Sequence, residues 1–481
     1  MSAEGGPVSA EGGPVSAKGR PERESAPKRV ARRADPSAAS SMMEAYFDEL
    51  AASVDRALRP GEAYTLDFDA EETDFVRMNR GRVRQPGHVE QRYLDVRLLR
   101  GARHASHLLS LTGNLQTDRE IVADALVKLR DVIPDLPEDP HLLLPDKVVS
   151  SRSERSDAMP APETMIDALL TMARGHDLVG MLAAGPVCCG FANSLGQRNW
   201  HATTTFNLQW SLYFRADKAV KSSYTGLSWR DDELASKMRH AVEQLALISR
   251  PPKALAPGKY RAYLPPSALQ EVADMLEWDG FSARALETQQ SPLAKMRGSA
   301  RLDPRVSISE DIASGVAPNF QADGFTRPAS VPLIVDGELA GALVSPRTAR
   351  EFDLVTNGAN GSESPEALAI AGGELAARDA LAALDTGLAI GNLWYLNFSD
   401  RPACRMTGMT RFATFWVENG NIVAPVDVLR FDDTIYRMLG DNLEALTKER
   451  EMLLEANTYG ARVLSSVTLP GALLSEMNFT L

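Results

Sequence analysis

Leu264-Pro-Pro-Ser-Ala-Leu-Gln-Glu-Val-Ala-Asp-Met-Leu-Glu-Trp278 is the stretch on which the reading of this chain turns. A Pro-Pro step opens it, Ser267 stands in capping position, and Leu269, Val272, Ala273 and Leu276 fall at the spacing of one apolar helix face. Within it lies Gln270-Glu-Val-Ala-Asp-Met275. A helix that binds catalytic zinc carries His at the first and last of such positions, around a Glu. The imidazoles hold the metal and the carboxylate takes a proton from metal-bound water. Here Gln270 and Met275 occupy those places and only Glu271 is kept, a residue that on most helices is simply solvated. No His follows His240, so no shift of register restores the ligands.

The segments around this helix form a recognisable series. Arg174-Gly-His-Asp-Leu-Val-Gly180 is followed by Phe191-Ala-Asn-Ser-Leu-Gly-Gln197. Asn319-Phe-Gln-Ala-Asp-Gly-Phe-Thr-Arg327 precedes Leu333-Ile-Val-Asp-Gly-Glu-Leu339 and Ser345-Pro-Arg-Thr-Ala349. Phe415-Trp-Val-Glu-Asn-Gly-Asn-Ile422 comes last, with Pro425-Val426 behind it. In order and spacing the series resembles the TldD/PmbA (TldD/TldE) metallopeptidase family over residues 50–481. That family has two kinds of subunit. One carries a HExxxH helix and a Cys near its C-terminus and binds zinc; the other, TldE or PmbA, lacks these ligands and pairs with the first. This chain resembles the TldE kind. The resemblance implies no cofactor in this chain, zinc in a TldD-like HExxxH partner, a heterodimer, and an enclosed chamber acting on peptides or unfolded proteins. It also places polar residues at Asp323, Arg327 and Glu418, without assigning them roles. The alternative is a homodimeric peptide-binding protein that kept the fold and lost the chemistry.

Composition sets the outer bounds. The chain has 481 residues, 44% of them hydrophobic and 24% charged, which suits a globular protein of about two or three domains. A net charge of −12 argues against general nucleic-acid binding, which needs a Lys/Arg excess. Three Cys are too few for a disulfide framework and fit a reduced compartment. No apolar run reaches the roughly 18 residues of a membrane span, and no apolar segment of signal-peptide type follows the N-terminus. The expectation is a cytoplasmic protein with no membrane contact.

Along the chain, Ser2-Ala-Glu-Gly-Gly-Pro-Val8 recurs at Ser9-Ala-Glu-Gly-Gly-Pro-Val15. Such sequence cannot bury apolar surface, so residues 1–42 are expected to be a disordered tail, with Met42 or Met43 an alternative start. From there the pattern is α+β. An N-terminal α+β domain is expected over 43–133, with helices at 43–58 and 118–132, the second capped near Thr117 or Asp118, and a hairpin turning near Asn79–Gly81. A Pro-rich connection from Pro134 leads into a central domain, 134–252. A β-rich C-terminal domain, 253–481, follows from the turn signals Asp336-Gly337, Asn357-Gly358, Asn360-Gly361 and Asn419-Gly420.

The remaining candidates are each weighed against a plain structural role. All seven His lie at or before position 240, and His104 and His107, three apart in an expected strand, point to opposite faces, a poor arrangement for shared ligation. Cys404 stands between Arg401 and Arg405, where cations favour the thiolate, but no His base is near in sequence. Cys188-Cys189 reads as core filling. Ser345 and Ser399 lack a nucleophile-elbow context. Gly358–Ser364 is a polar loop suited to a cleft margin. Trp394, Tyr395, Arg401, Cys404, Arg405 and Arg411 mark the candidate interface or groove, because exposed aromatics and Arg are the usual anchors of such surfaces.

Overall fold

In the computed structural model, residues 36–480 are described, apart from Ala158, Ala216 and Asp217. The repeats of the expected tail therefore lie outside the described residues. Residues 36–42 do not belong to a tail: they open helix α1 (Pro36–Ala57). Proline suits the first helical turn, and the Trp200 indole donates to Ser40 Oγ at 3.3 Å, tying this turn to the sheet behind it.

The chain continues through β1 (Ala63–Asn79), β2 (Arg82–Arg100), β3 (Arg103–Ser110), α2 (Leu115–Val132), β4 (Ser151–Arg155), α3 (Pro162–Met172), β5 (Asp177–Asn193), β6 (Arg198–Arg215), β7 (Lys218–Gly226) and α4 (Asp231–Ile248). The strands form one sheet in the order β3-β2-β1-β5-β6-β4, with β7 also on β6. Because β1 pairs with both β2 and β5, strands from either side of the expected 133/134 boundary share this sheet. Residues 43–252 are thus one layer, not two domains. Arg80 and Gly81, both at positive φ, turn the β1–β2 hairpin at the expected place. The cap of α2 is Asn114, which accepts from Thr117 N; Asp118 is instead buried and accepts from Thr112 N and the Tyr46 hydroxyl.

The two-residue period of the strands sorts their side chains. Leu66 and Phe68 of β1, with Leu94 and Val96 of β2, pack under α1 and α2. Val187 and Phe191 of β5 face the other way and meet Phe320 and Leu464 from the C-terminal half.

That half comprises β8 (Gly258–Leu264), α5 (Pro266–Glu277), β9 (Ile308–Glu310), β10 (Val331–Val335), β11 (Glu338–Leu339), β12 (Ala367–Ile370), β13 (Gly387–Asp400), β14 (Arg405–Glu418), β15 (Asn421–Pro425), β16 (Arg430–Thr434), β17 (Leu443–Leu454) and β18 (Ser466–Phe479), with short helices between. Its sheet runs β11-β10-β9-β12-β18-β16-β14-β13-β8, and β8 returns to pair with β18. The strands β8, β13, β14, β16 and β18 therefore close on themselves. Helix α5 packs on β13 and β18, and its Leu269, Val272, Ala273 and Leu276 enter the core, as their spacing predicts. Its cap differs from expectation. Pro265 precedes the helix with no side-chain cap, and Ser267 Oγ donates to Gly391 O on β13 at 2.8 Å.

Close backbone approach is tightest, among the described glycines, at Gly185. Gly185 of β5 has φ +150°, and a Cβ there would lie 2.0 Å from Glu72 O of β1. Gly185→Ala is expected to destabilise the protein by about 1–3 kcal/mol, read as a lower denaturant midpoint at unchanged slope. An unchanged midpoint would show that the two strands part without cost.

Candidate functional site

Helix α5 buries one face and turns the other to a polar cleft. Gln270 and Glu271 line it beside Lys221 of β7, Lys237 and His240 of α4, and Glu451 of β17, around a cavity of about 240 Å3. Lys237 pairs with Glu451 at 2.5 Å, which leaves Lys221 as the cation acting on Glu271. Burial pushes the Glu271 carboxyl up and Lys221 opposes that rise. His240, remote in sequence, is the one imidazole that lines this cleft, and nothing in the local sequence around it announces that placement.

The degenerate motif does not come together as a ligand set. Met275 is buried in the core cluster, turned away from Gln270. Among the described residues, no three His, Cys, Asp or Glu side chains are grouped to hold a metal ion. An amide and a core thioether are also the wrong donors for zinc. The residues present at α5 do not fit the metal.

One turn further along, Asp274 and Glu277 extend the polar face. Asp274 is open to water yet surrounded by protein, as expected of a recess; burial, then Glu271 and Glu455, push its carboxyl up to about 7. Burial, then Asp274, Glu310 and Glu455, push Glu277 up to about 8.

The aromatic and arginine candidates divide into two groups. Trp394 and Tyr395 on β13 are exposed, Tyr395 by 75% at a bulge with φ +58°, and the Arg411 guanidinium lies 4.3 Å from the Trp394 ring centre. This is a free surface of interface character. Arg401 and Arg405 serve internal purposes. Arg401 lies 5.1 Å from the ring centres of both Trp278 and Phe398 and pairs with Asp279 at 2.9 Å, fastening the end of α5 to the β13–β14 hairpin. Arg405 pairs with Asp432 of β16 at 3.0 Å.

Cys404 belongs to neither group. It is fully buried, and burial pushes its thiol up to about 12 despite Arg401 nearby. Its place among the interface or groove candidates is overturned by this burial: the thiol is desolvated, and the arginines turn to other partners. Cys188 and Cys189 are buried too, filling opposite faces of β5. Ser345 caps the short helix Pro346–Phe352 by accepting from Thr348 N, and Ser399 bonds to the Arg405 carbonyl. His104 bonds to Asp139 at 3.2 Å.

The polar residues marked by the family pattern are all engaged. Asp323 pairs with Arg97 of β2 at 2.5 Å, Arg327 with Glu366, and Glu418 with Lys253 at 2.8 Å. The first pair ties the loop 319–327 to β2, and the second ties it to Glu366 at the start of β12. There Asp67, Asp69, Gln321, Arg327 and Asn360 line a second cavity, of about 420 Å3.

A closed ring of strands carrying the ligand-free helix α5, packed against a long antiparallel sheet, frames the site. Residues 257–481 match the model of the PmbA/TldA metallopeptidase C-terminal domain. The fold is shared with TldE from Thermococcus kodakarensis, at 12% identity and TM-score 0.73, covering 90% of this chain and all of that one. It is shared with a protein described as a candidate modulator of a DNA gyrase from Thermotoga maritima, at 15% identity and TM-score 0.68, covering 91% of this chain and 100% of that one. A similarly described protein from Bacteroides thetaiotaomicron has 16% identity and TM-score 0.70, covering 90% and 98%. No curated protein matches the sequence.

Two predictions follow from this site. None of the chain's three thiols is expected to react with a thiol reagent at neutral pH before unfolding, and rapid labelling of Cys404 in the native protein would contradict its burial. The carboxyls of Asp274 and Glu277 hold protons more tightly folded than unfolded, so the stability they contribute is complete below about pH 4 and lost as pH rises through about 8. Water access at Asp274 puts the larger share on Glu277. The unfolding midpoint of the natural protein should therefore fall between about pH 5 and 8 relative to Glu277→Gln; parallel profiles would remove the assignment.

Proposed function

We propose that this chain is a TldE/PmbA-like subunit without its own catalytic centre, pairing with a TldD-like HExxxH subunit that supplies zinc to a peptidase acting on peptides or unfolded proteins. The observation that carries this reading is helix α5. It is retained, packed and turned toward a polar cleft, while Gln270 and the buried Met275 occupy the positions where ligands would stand. A helix kept for the core but stripped of donors suits a subunit whose role is to shape a chamber. The exposed Trp394–Tyr395–Arg411 surface suits the partner contact. We assign the complex to the cytoplasm; three free, buried thiols agree with a reducing compartment, and among the described residues no helix is long and apolar enough to cross a membrane.

Elemental analysis tests the assignment. The chain purified alone should carry no stoichiometric zinc, and co-expression with a HExxxH relative from the same organism should yield a complex with about one zinc per pair. Tight zinc on the isolated chain, or failure of the two chains to associate, would overturn it.

A further inference from the structure

The first sheet ends, on the face turned away from α3 and α4, in a polar floor. Strand register lines up Gln85 of β2, Arg77 of β1, Met181 of β5, Gln209 of β6 and Ser223 of β7 in one row. Val179, Ser211 and Lys221 form the next row, and side chains of both rows share a face. The alternate residues Val76, Leu182, Leu208 and Trp210 are buried with α3 and α4. Arg77 is exposed, and Met181, Gln209, Ser211 and Lys221 are half-buried. Above this floor lies a cavity of about 420 Å3, lined among others by Arg77, Arg84, Gln85, Met181, Gln209 and Lys221.

A bulge supplies the second arginine. Arg77 pairs with Gln85 and Met78 with Val83, so Arg84 is the extra residue on β2. Bulges re-aim side chains, and Arg84 and Gln85, though consecutive, both line the cavity. Three cations line it and no carboxylate does, in a chain where 64 Asp and Glu outnumber 52 Lys and Arg. Among the described residues, Arg77, Arg84 and Lys221 form no ion pair. On this face of β1 the nearest carboxylate is Glu71, about 20 Å back along the strand, where it accepts from Thr73 and Gln91. Asp177 stands on the same face at the exposed start of β5, outside the lining. Lys221 acts on Glu271 and Asp274 across the α5 cleft, which offsets its charge in part. The two arginines have no such neighbour in the lining. The other face of the hairpin is acidic instead: Asp74, Glu163 and Asp167 line a separate hollow there.

We infer that this floor binds an extended acidic segment of a peptide, with one carboxylate on Arg77 and Arg84 and a second on Lys221. Arginine suits the task because its planar fork matches a carboxylate. From β1 to β7 is three strand spacings, about 14 Å, which an extended peptide covers in about four residues. Gln209 and Lys221 line both this cavity and the cleft at α5, so a peptide held here continues into that cleft. A long polyphosphate fits less well, because the acidic hollow behind the hairpin and the net charge of −12 repel it. The inference rests on the peptide side of the proposed function and names its substrate class. Its test uses the chain alone, so failure of zinc pairing and failure of peptide binding are separate results.

Fluorescence anisotropy of the full chain decides it, with a labelled, end-blocked heptapeptide of alanine that carries glutamate at its second and sixth positions. Its glutamine counterpart and a labelled thymidine trinucleotide of the same charge are the comparisons. The glutamate peptide should bind saturably at low salt, and the glutamine peptide at least roughly tenfold more weakly. Arg77→Gln and Lys221→Gln should each weaken binding of the glutamate peptide by roughly fivefold or more. Arg80→Gln, at the hairpin turn and outside the lining, should change it by less than about twofold. Should a variant fail to fold, the comparison of the two peptides on the natural protein stands by itself. Equal binding of the two peptides, no binding of either, or an equal loss in Arg80→Gln overturns the inference. Tighter binding of the trinucleotide than of the glutamate peptide overturns it as well, in favour of a phosphate ligand.

Discussion

Strand β1 runs through the middle of the first sheet with hydrogen-bonded neighbours on both sides, and its alternation determines what each half of the molecule can be. Leu66 and Phe68 go under α1 and α2, where Phe47 and Trp200 stack on the Phe68 ring with centres 5.2 Å and 6.2 Å away. The alternate positions are then forced to the opposite face, and the residues there are Asp67 and Asp69. A slip of one register position would carry carboxylates into an aromatic core, which no local adjustment could offset. The acidic recess is therefore fixed by the same packing that holds the helices on.

Helix α5 repeats that logic with a period of 3.6. Its apolar face is spent on β13 and β18, so its polar face must look into the space between the two sheets. In a zinc-binding relative of this design, such a face would carry ligands. Here it carries Gln270, Glu271, Asp274 and Glu277, and position 275 has joined the core. The electrostatics follow from this geometry. Carboxyls on a recessed face lose hydration and repel one another, and Lys221 is the nearby cation left to oppose them once Lys237 has paired with Glu451.

Much of this was legible in the sequence because the signals are local. The 3.6-residue spacing of Leu269, Val272, Ala273 and Leu276 marked the helix, Asn79–Gly81 and Asn419-Gly420 marked hairpin turns, and the short motifs pointed to the family whose C-terminal domain model matches residues 257–481. The errors also have local causes. Pro134 and its polar neighbours look like a domain linker, but β5 returns to β1 across that segment, and long-range pairing leaves no mark in composition. Arg401, Cys404 and Arg405, close together in sequence, read as parts of one interface or groove. In space the arginines reach Asp279 and Asp432, while the sulfur is sealed beneath them.

By itself the sequence determined which residue types are available: no His beyond position 240, a helix without ligands, alternating strands, and an ordered series of short motifs. These depend on identity and short-range spacing, which the backbone periods translate directly into faces. Only the tertiary structure decided which faces meet. Closure of β8 onto β18, and docking of the loop 319–327 on β2, bring Gln321 and Arg327 opposite Asp67 and Asp69 across more than half the chain. Such encounters arise from sheet closure and the balance of buried charge, which are properties of the whole fold and not of any stretch within it.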